Sequence, residues 1–198
     1  VGCKGCKRDC PTGVDMAKMK LEFTAQDKAR HGFTFKDRLL ARLPDYARAL
    51  SALPWLANLR DSLPGAARLS EKLLGLSAQR KLPQWRRDTF WRAMNPSDFA
   101  SAEQTVAAAR ADGKAAVLFV DTFNGTFESE NALAAARVLR AAGYTLHQVV
   151  KDGGHHCCGR TFLAAGMVGE AKARLGALID ALLPLARRAC ELVSERRH

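Results

Sequence analysis

Three cysteines stand at residues 3, 6 and 10 of a 198-residue chain, and a proline follows the third, in VGCKGCKRDCPTGVD. Thiolates are soft ligands for iron and zinc, and bacterial four-iron sites are held by a run spaced C-x2-C-x2-C-x3-C-P. Cys3, Cys6 and Cys10–Pro11 reproduce the last three members of that run, and the first would fall one residue before Val1. The expectation is a chain that begins partway through an iron–sulfur motif, with Cys3, Cys6 and Cys10 as cluster ligands. In two-cluster proteins the last cysteine of such a run serves the other cluster, and Cys10 has the same option. A zinc knuckle or a C-x-x-C redox pair competes for this spacing. Pro11 and the TGVD that follows favour iron–sulfur.

A second group of candidate ligands is GGHHCCGR at 153–160, with His155, His156, Cys157, Cys158 and Arg160. Adjacent cysteines rarely pair with each other, because the ring they close is strained. Two small buried residues in a glycine turn, with histidines at the surface, is the plainest reading. Cluster ligation, zinc ligation and a polar rim that approaches a flavin or quinone are the chemically richer ones. His31, His147 and His198 stand without such company and read as surface or core residues.

The elements that must position these groups follow from pattern. Residues 14–32, VDMAKMKLEFTAQDKARHG, read as a helix ended by Gly32. From 36 to 92 short helical patterns are broken by Leu–Pro at 43–44, 53–54, 63–64 and 82–83, which predicts short helices meeting at corners. Trp55, Trp85 and Trp91 are expected to anchor packing there. Ser101 and Gln104 have capping-box spacing, and Gly113 closes their helix. AAVLFV (115–120) and TLHQVV (145–150) read as buried parallel strands, with the helix SENALAAARVLRAAG (129–143) between them and one or two helices after. This is a βαβ unit with an expected right-handed crossover. Ligands of open parallel sheets sit beyond the carboxyl ends of the strands. There DTFN (121–124) and HHCCGR (155–160) converge, which adds Asp121, Thr122 and Asn124 to the candidate rim.

Composition bounds the function class. Six cysteines cluster at the two sites and near the end, with none from 11 to 156, which argues for metal or redox chemistry in a reducing compartment over a disulfide scaffold. No signal-like apolar region opens the chain and no apolar run is long enough to span a bilayer. A first residue of Val suggests a fragment or a single domain of something longer. The net charge is +11, with 19 basic against 10 acidic residues up to residue 99 and 12 against 10 beyond it. The basic residues are scattered among apolar ones and no aromatic–basic RNA motif is present, so a solvated face or an acidic partner domain is favoured over nucleic acid.

CKGCKRDCPTGVDMAKMKLEF, DTFNGTFESENALAAARVLRAAGY and CCGRTFLAAGMVGEAKA together resemble the iron–sulfur, cysteine-rich C-terminal part of FAD-linked oxidases. These are the fused D-2-hydroxyacid dehydrogenases of the D-lactate, glycolate and D-2-hydroxyglutarate type. The resemblance runs to about residue 188, with the three motifs in the family's order. It implies a flavin domain that oxidises a 2-hydroxy acid and a 4Fe-4S cluster that passes the electrons to a quinone or another redox carrier. It carries Cys3, Cys6 and Cys10 over as cluster ligands and matches Cys157 and Cys158 to the family's paired-cysteine motif. The chain departs from the pattern in having DTFN where an upstream cysteine belongs, only Cys190 where a C-x-x-C belongs, and no flavin-binding segment.

The resulting expectation is an α/β chain: a partial ferredoxin-like segment (1–35), a helical linker region (36–97) and a cysteine-rich βαβα domain with a small parallel sheet (98–198). Metal ligands are expected at Cys3, Cys6, Cys10, Cys157 and Cys158, and cofactor contacts at Asp121, Asn124, His155, His156 and Arg160. FAD belongs to a domain or subunit that this chain lacks, so the chain alone should not turn over substrate. No nucleic acid and no transmembrane segment are expected. A cytoplasmic location is expected, including the inner face of a membrane as a peripheral site. The rival from another class is a zinc-stabilised binding module that holds a partner through its basic face.

Overall fold

In the computed structural model, which describes residues 10–151 and 154–195, local signals set the first helices. Helix α1 (Met16–His31) starts where the Asp15 carboxylate accepts the Lys18 N–H at 3.0 Å. It stops at Gly32, whose φ of 80° turns the chain while its N–H still reaches Lys28 O. Helix α2 (Phe35–Ala41) opens with a capping box between Thr34 and Asp37. Asp37 also holds Lys28 at 2.6 Å, which clamps α1 to α2. Next come α3 (Leu43–Leu50), α4 (Pro54–Ala57), α5 (Leu59–Ser62) and α6 (Ala66–Leu74). Pro44 and Pro54 sit in first turns, where a missing N–H is tolerated.

Leu63–Pro64 falls in the short turn between α5 and α6, and Leu82–Pro83 in a longer stretch without helix between α6 and α7 (Phe90–Ala93). Side chains satisfy the backbone there instead. Asn58 exchanges two 2.9 Å hydrogen bonds with the Trp85 backbone, Asp61 accepts the Leu82 N–H, and Arg60 donates to Ser77 O. The tryptophan expectation also needs correction. Trp85 packs on Tyr46 and Phe127, and Trp91 on Phe90 and His155, but Trp55 is 62% exposed.

The regular part begins with α8 (Ala102–Ala111), whose Ser101–Gln104 capping box forms as its spacing predicts. Strand β1 (Ala115–Leu118), helices α9 (Thr122–Thr126) and α10 (Ser129–Ala141), and strand β2 (Thr145–Gln148) follow. The two strands pair in parallel, Ala115 beside Thr145 through Leu118 beside Gln148. Both are shorter than their apolar runs. After β2 the chain leaves the parallel ladder and forms a separate antiparallel pair, β3 (Val150–Lys151) with β4 (Gly154–His155). Helices α11 (Arg160–Ala164) and α12 (Val168–Glu195) complete a mainly helical chain with one small parallel sheet. Among the described residues no helix is long and apolar enough to cross a membrane.

Two apolar clusters join early helices to late ones. Ala41 packs with Phe162, Met167 and Ala171, and Phe90 packs with Val120 and Ala132. Phe90 is fully buried and touches Trp91 edge-on. Truncating such a ring removes its transfer energy and leaves a cavity. Phe90→Ala should therefore destabilise the chain by about 3–5 kcal/mol, read as a lowered midpoint in urea. A shift under about 1 kcal/mol would contradict this core.

Candidate functional site at the carboxyl edge of the sheet

Of the cysteines expected to bind a cluster, Cys3 and Cys6 lie outside the described residues, and Cys10 lies within them. Cys10 begins a turn in which its carbonyl accepts the Gly13 N–H at 3.1 Å. Its Sγ stands 3.2 Å from Thr12 Oγ1. That contact, followed by the backbone N–H groups of Val14, Thr12 and Gly13, lowers the thiol's pKa. Donors aimed at the sulfur favour its thiolate.

The segment after β1 meets the one that follows the β3–β4 pair. A cleft of about 300 Å³ is lined by Asp121, Thr122 and Phe123 after β1, by Cys157, Cys158, Arg160 and Thr161 after β4, and by Pro44 from α3. Thr161 Oγ1 donates to Ala41 O at 2.8 Å, which ties the cysteine loop to α2. Gly159, at φ 77°, is obligatory in this loop: a Cβ there would stand 2.5 Å from the Ala171 carbonyl oxygen.

The residues at this edge are not equivalent. Asp121 caps α9, its Oδ1 accepting the N–H groups of Phe123 (2.8 Å) and Asn124 (3.3 Å). Asn124 donates to Asp121 Oδ2 at 2.6 Å and accepts from Asn131, and it lines a different, smaller cleft with Leu118 and Ala135. Cys157 is 7% exposed, and its Sγ accepts the Gly159 N–H at 3.3 Å. Burial pushes the Cys157 thiol's pKa up, opposite in direction to Cys10. Cys158 is half-buried, Arg160 exposed and His156 buried. Among the described residues no group of three or more His, Cys, Asp or Glu side chains is gathered in a metal-binding arrangement.

His155 belongs to the far side of the rim. Its Nε2 lies 3.0 Å from Thr122 Oγ1, while its ring stacks on Trp91 at 4.7 Å and 19°. Burial, then the nearby Arg48 charge, lowers its pKa. It faces a second, larger cleft that also holds Trp91 and His147. The structure thus brings Asp121, Cys157, Cys158 and Arg160 together, and sets Asn124 and His155 on neighbouring surfaces.

Sequence reasoning missed Trp91 and Gly125 as determinants of this edge. A Cβ on Gly125 would stand 2.4 Å from the Trp91 ring, so only glycine lets α9 lie against the indole. A glycine inside an otherwise good helix pattern, in TFNGTFE, was the available signal. Trp91 Nε1 is the one fully buried side-chain polar atom without a partner among the described residues. Comparison of the chain with family models, with curated proteins and with solved structures finds no match.

Two outcomes follow from this geometry. Gly125→Ala should cost about 1–3 kcal/mol by overpacking and shift tryptophan fluorescence, whereas an unchanged spectrum and midpoint would refute the Trp91 seat. In NMR titration the His155 ring should protonate below the ordinary histidine value of 6.5. A midpoint at or above that value would contradict its burial against Trp91.

Proposed function

We propose that this chain is the iron–sulfur electron-transfer module of an FAD-linked 2-hydroxyacid dehydrogenase. The observation that carries the reading is Cys10: the third cysteine of the C-x2-C-x3-C-P run sits in a turn whose hydroxyl and N–H groups favour its thiolate. A metal ligand must be deprotonated, so such a setting suits ligation. Pro11 and the turn to Gly13 lead directly into α1, so the helix would fix the direction in which the Cys10 side chain leaves the backbone. The donor chemistry on the described part of the run fits a thiolate-bound iron cluster. When bound, a 4Fe-4S cluster supplies one-electron transfer between a flavin and an acceptor. Cys3, Cys6 and Cys10 would hold it, and Cys10 would additionally hydrogen-bond its sulfur to the turn.

The cysteine-pair rim plays another part in this reading. Asp121 is occupied as a helix cap, Cys157 is buried with its thiol favoured over its thiolate, and Arg160 is left at the surface beside Cys158. We read this edge as a docking or electron-exit surface for a partner, with the exposed guanidinium of Arg160 available to an acidic group. In this reading the flavin would belong to a domain or subunit outside these residues.

Anaerobic reconstitution with iron and sulfide tests the assignment. Iron-bound protein with a broad absorbance near about 400 nm, as for thiolate-bound clusters, is the expected result, and Cys10→Ser should lower iron per chain. Stoichiometric zinc without colour would instead support the zinc-stabilised binding module. The pair Cys157→Ala and Cys158→Ala should leave iron content unchanged; loss of more than about one iron atom per folded chain would make them ligands. In graded alkylation at neutral pH, Cys10 should react well before Cys157, as their opposite thiol shifts require. Equal rates would count against the thiolate setting of Cys10.

A further inference from the structure

Helices α4, α5 and α6 hold no buried residue, although the segment they span is rich in leucine. Leu53, Trp55, Leu56, Leu63, Leu69 and Leu73 are all exposed, Leu73 to 70%. Large apolar side chains concentrated at the surface of one segment mark a place of contact. The segment that carries them is fastened to its surroundings. Arg60 on α5 donates to Ser70 on α6 at 2.7 Å and to Ser77 O at 2.6 Å. Lys36 on α2 donates to Gly75 O, just past the end of α6, at 2.8 Å.

The charges beside these side chains are mostly of one sign. From Leu53 to Arg87 seven basic residues stand against two acidic ones, Asp61 and Glu71, and Asp61 is taken up by Arg60 and the Leu82 N–H. On α6 the helical step of about 100° per residue puts Leu69 and Leu73 in one row and Arg68 and Lys72 in the row next to it. Ser70, which meets Arg60, and half-buried Leu74 mark the inward side. Glu71 lies beyond Arg68, away from the leucines. The side chains of Arg68 and Lys72 are exposed and make no ion pair or hydrogen bond with another described residue. An apolar row and a row of uncommitted positive charge therefore run side by side.

We infer that this face docks on the surface of an anionic lipid bilayer, with Trp55, Leu69 and Leu73 at the headgroup boundary and Arg68 and Lys72 against lipid phosphates. Helices that lie in such a boundary pair an apolar row with lysine and arginine, whose stems cover apolar surface while their charge stays in water. Trp55 fits the same place. Its indole N–H makes no hydrogen bond to another described residue, and an indole suits a boundary that is apolar on one side and wet on the other. A bilayer needs no pocket matched to side chains spread over three short helices, which favours it over an acidic protein. The chain would lie on the layer, since no described helix is long and apolar enough to cross it. The surface stands or falls independently of iron content.

Cosedimentation of the full chain with lipid vesicles tests the surface. Vesicles of phosphatidylglycerol and phosphatidylcholine in equal parts should bind it more tightly than phosphatidylcholine alone, by about fivefold per engaged charge, and added salt should weaken the binding. Tryptophan emission should move to shorter wavelength on the mixed vesicles. Trp55→Phe should remove that shift, because Trp85 and Trp91 are packed against other rings. Arg68→Gln with Lys72→Gln should weaken binding about twentyfold. Arg137→Gln with Lys172→Gln, which removes the same charge elsewhere, should change it by less than about twofold. Leu69→Gln with Leu73→Gln should weaken binding and leave the urea midpoint in place. Equal losses in the two charge pairs would reduce the effect to net charge and overturn the site, as would equal affinity for the two kinds of vesicle. Binding to neither, with self-association that Leu69→Gln and Leu73→Gln abolish, would assign the face to a second copy. Binding to neither, with Arg68- and Lys72-dependent binding of poly-L-glutamate, would assign it to an acidic protein.

Discussion

Four residues of parallel pairing, Ala115–Leu118 beside Thr145–Gln148, bring the carboxyl ends of two strands to one edge. Parallel strands leave a sheet at the same edge, so the polar segments after them are thrown together whatever else they contain. A two-stranded sheet buries too little to stand alone, and needs helices against it. The chain supplies them from both sides of the sequence: Ala41 shares a cluster with Phe162 and Met167, and Phe90 shares one with Val120 and Ala132. The edge is held by the same contacts. Gly159 lies against the Ala171 carbonyl, Thr161 reaches Ala41, and Thr122 meets His155.

What could be read beforehand was local. Ser101 with Gln104, and Gly32 after α1, act within one turn, and both helix ends are where their spacing places them. The convergence of Asp121 with Cys157 and Cys158 was anticipated, although the antiparallel β3–β4 pair that intervenes between β2 and the cysteines was not. Roles were harder to read than positions. Asp121 has the chemistry of a ligand, but a carboxylate before a helix is consumed by the nearest N–H groups. The pairing of Trp91 with Gly125 depends on a tertiary approach that no sequence period announces. Trp55, read as a packing anchor, is exposed because the short helices around it contribute no buried residue.

The cysteines illustrate how environment assigns function to one chemical group. Cys10 lies in a turn whose donors stabilise negative charge on sulfur, while Cys157 lies where removal from water opposes it. The single N–H from Gly159 offsets part of that burial and does not reverse it. A thiol in such a place behaves as a small apolar side chain with a weak acceptor. Its neighbour Cys158 is half-buried. The pair therefore divides into a packing residue and a surface residue, an arrangement poorly suited to converging on one ion.

His155 forms the wall between the two clefts. His155 offers one nitrogen to Thr122 on the cysteine side and one ring face to Trp91 on the aromatic side. A hydroxyl can donate to or accept from a ring nitrogen, so the tautomer of His155 and the rotor of Thr122 must change together. Trp91, in turn, cannot slide toward α9, because Gly125 already brings the helix to the indole's surface. The two clefts thus share the Thr122–His155 hydrogen bond as a common boundary.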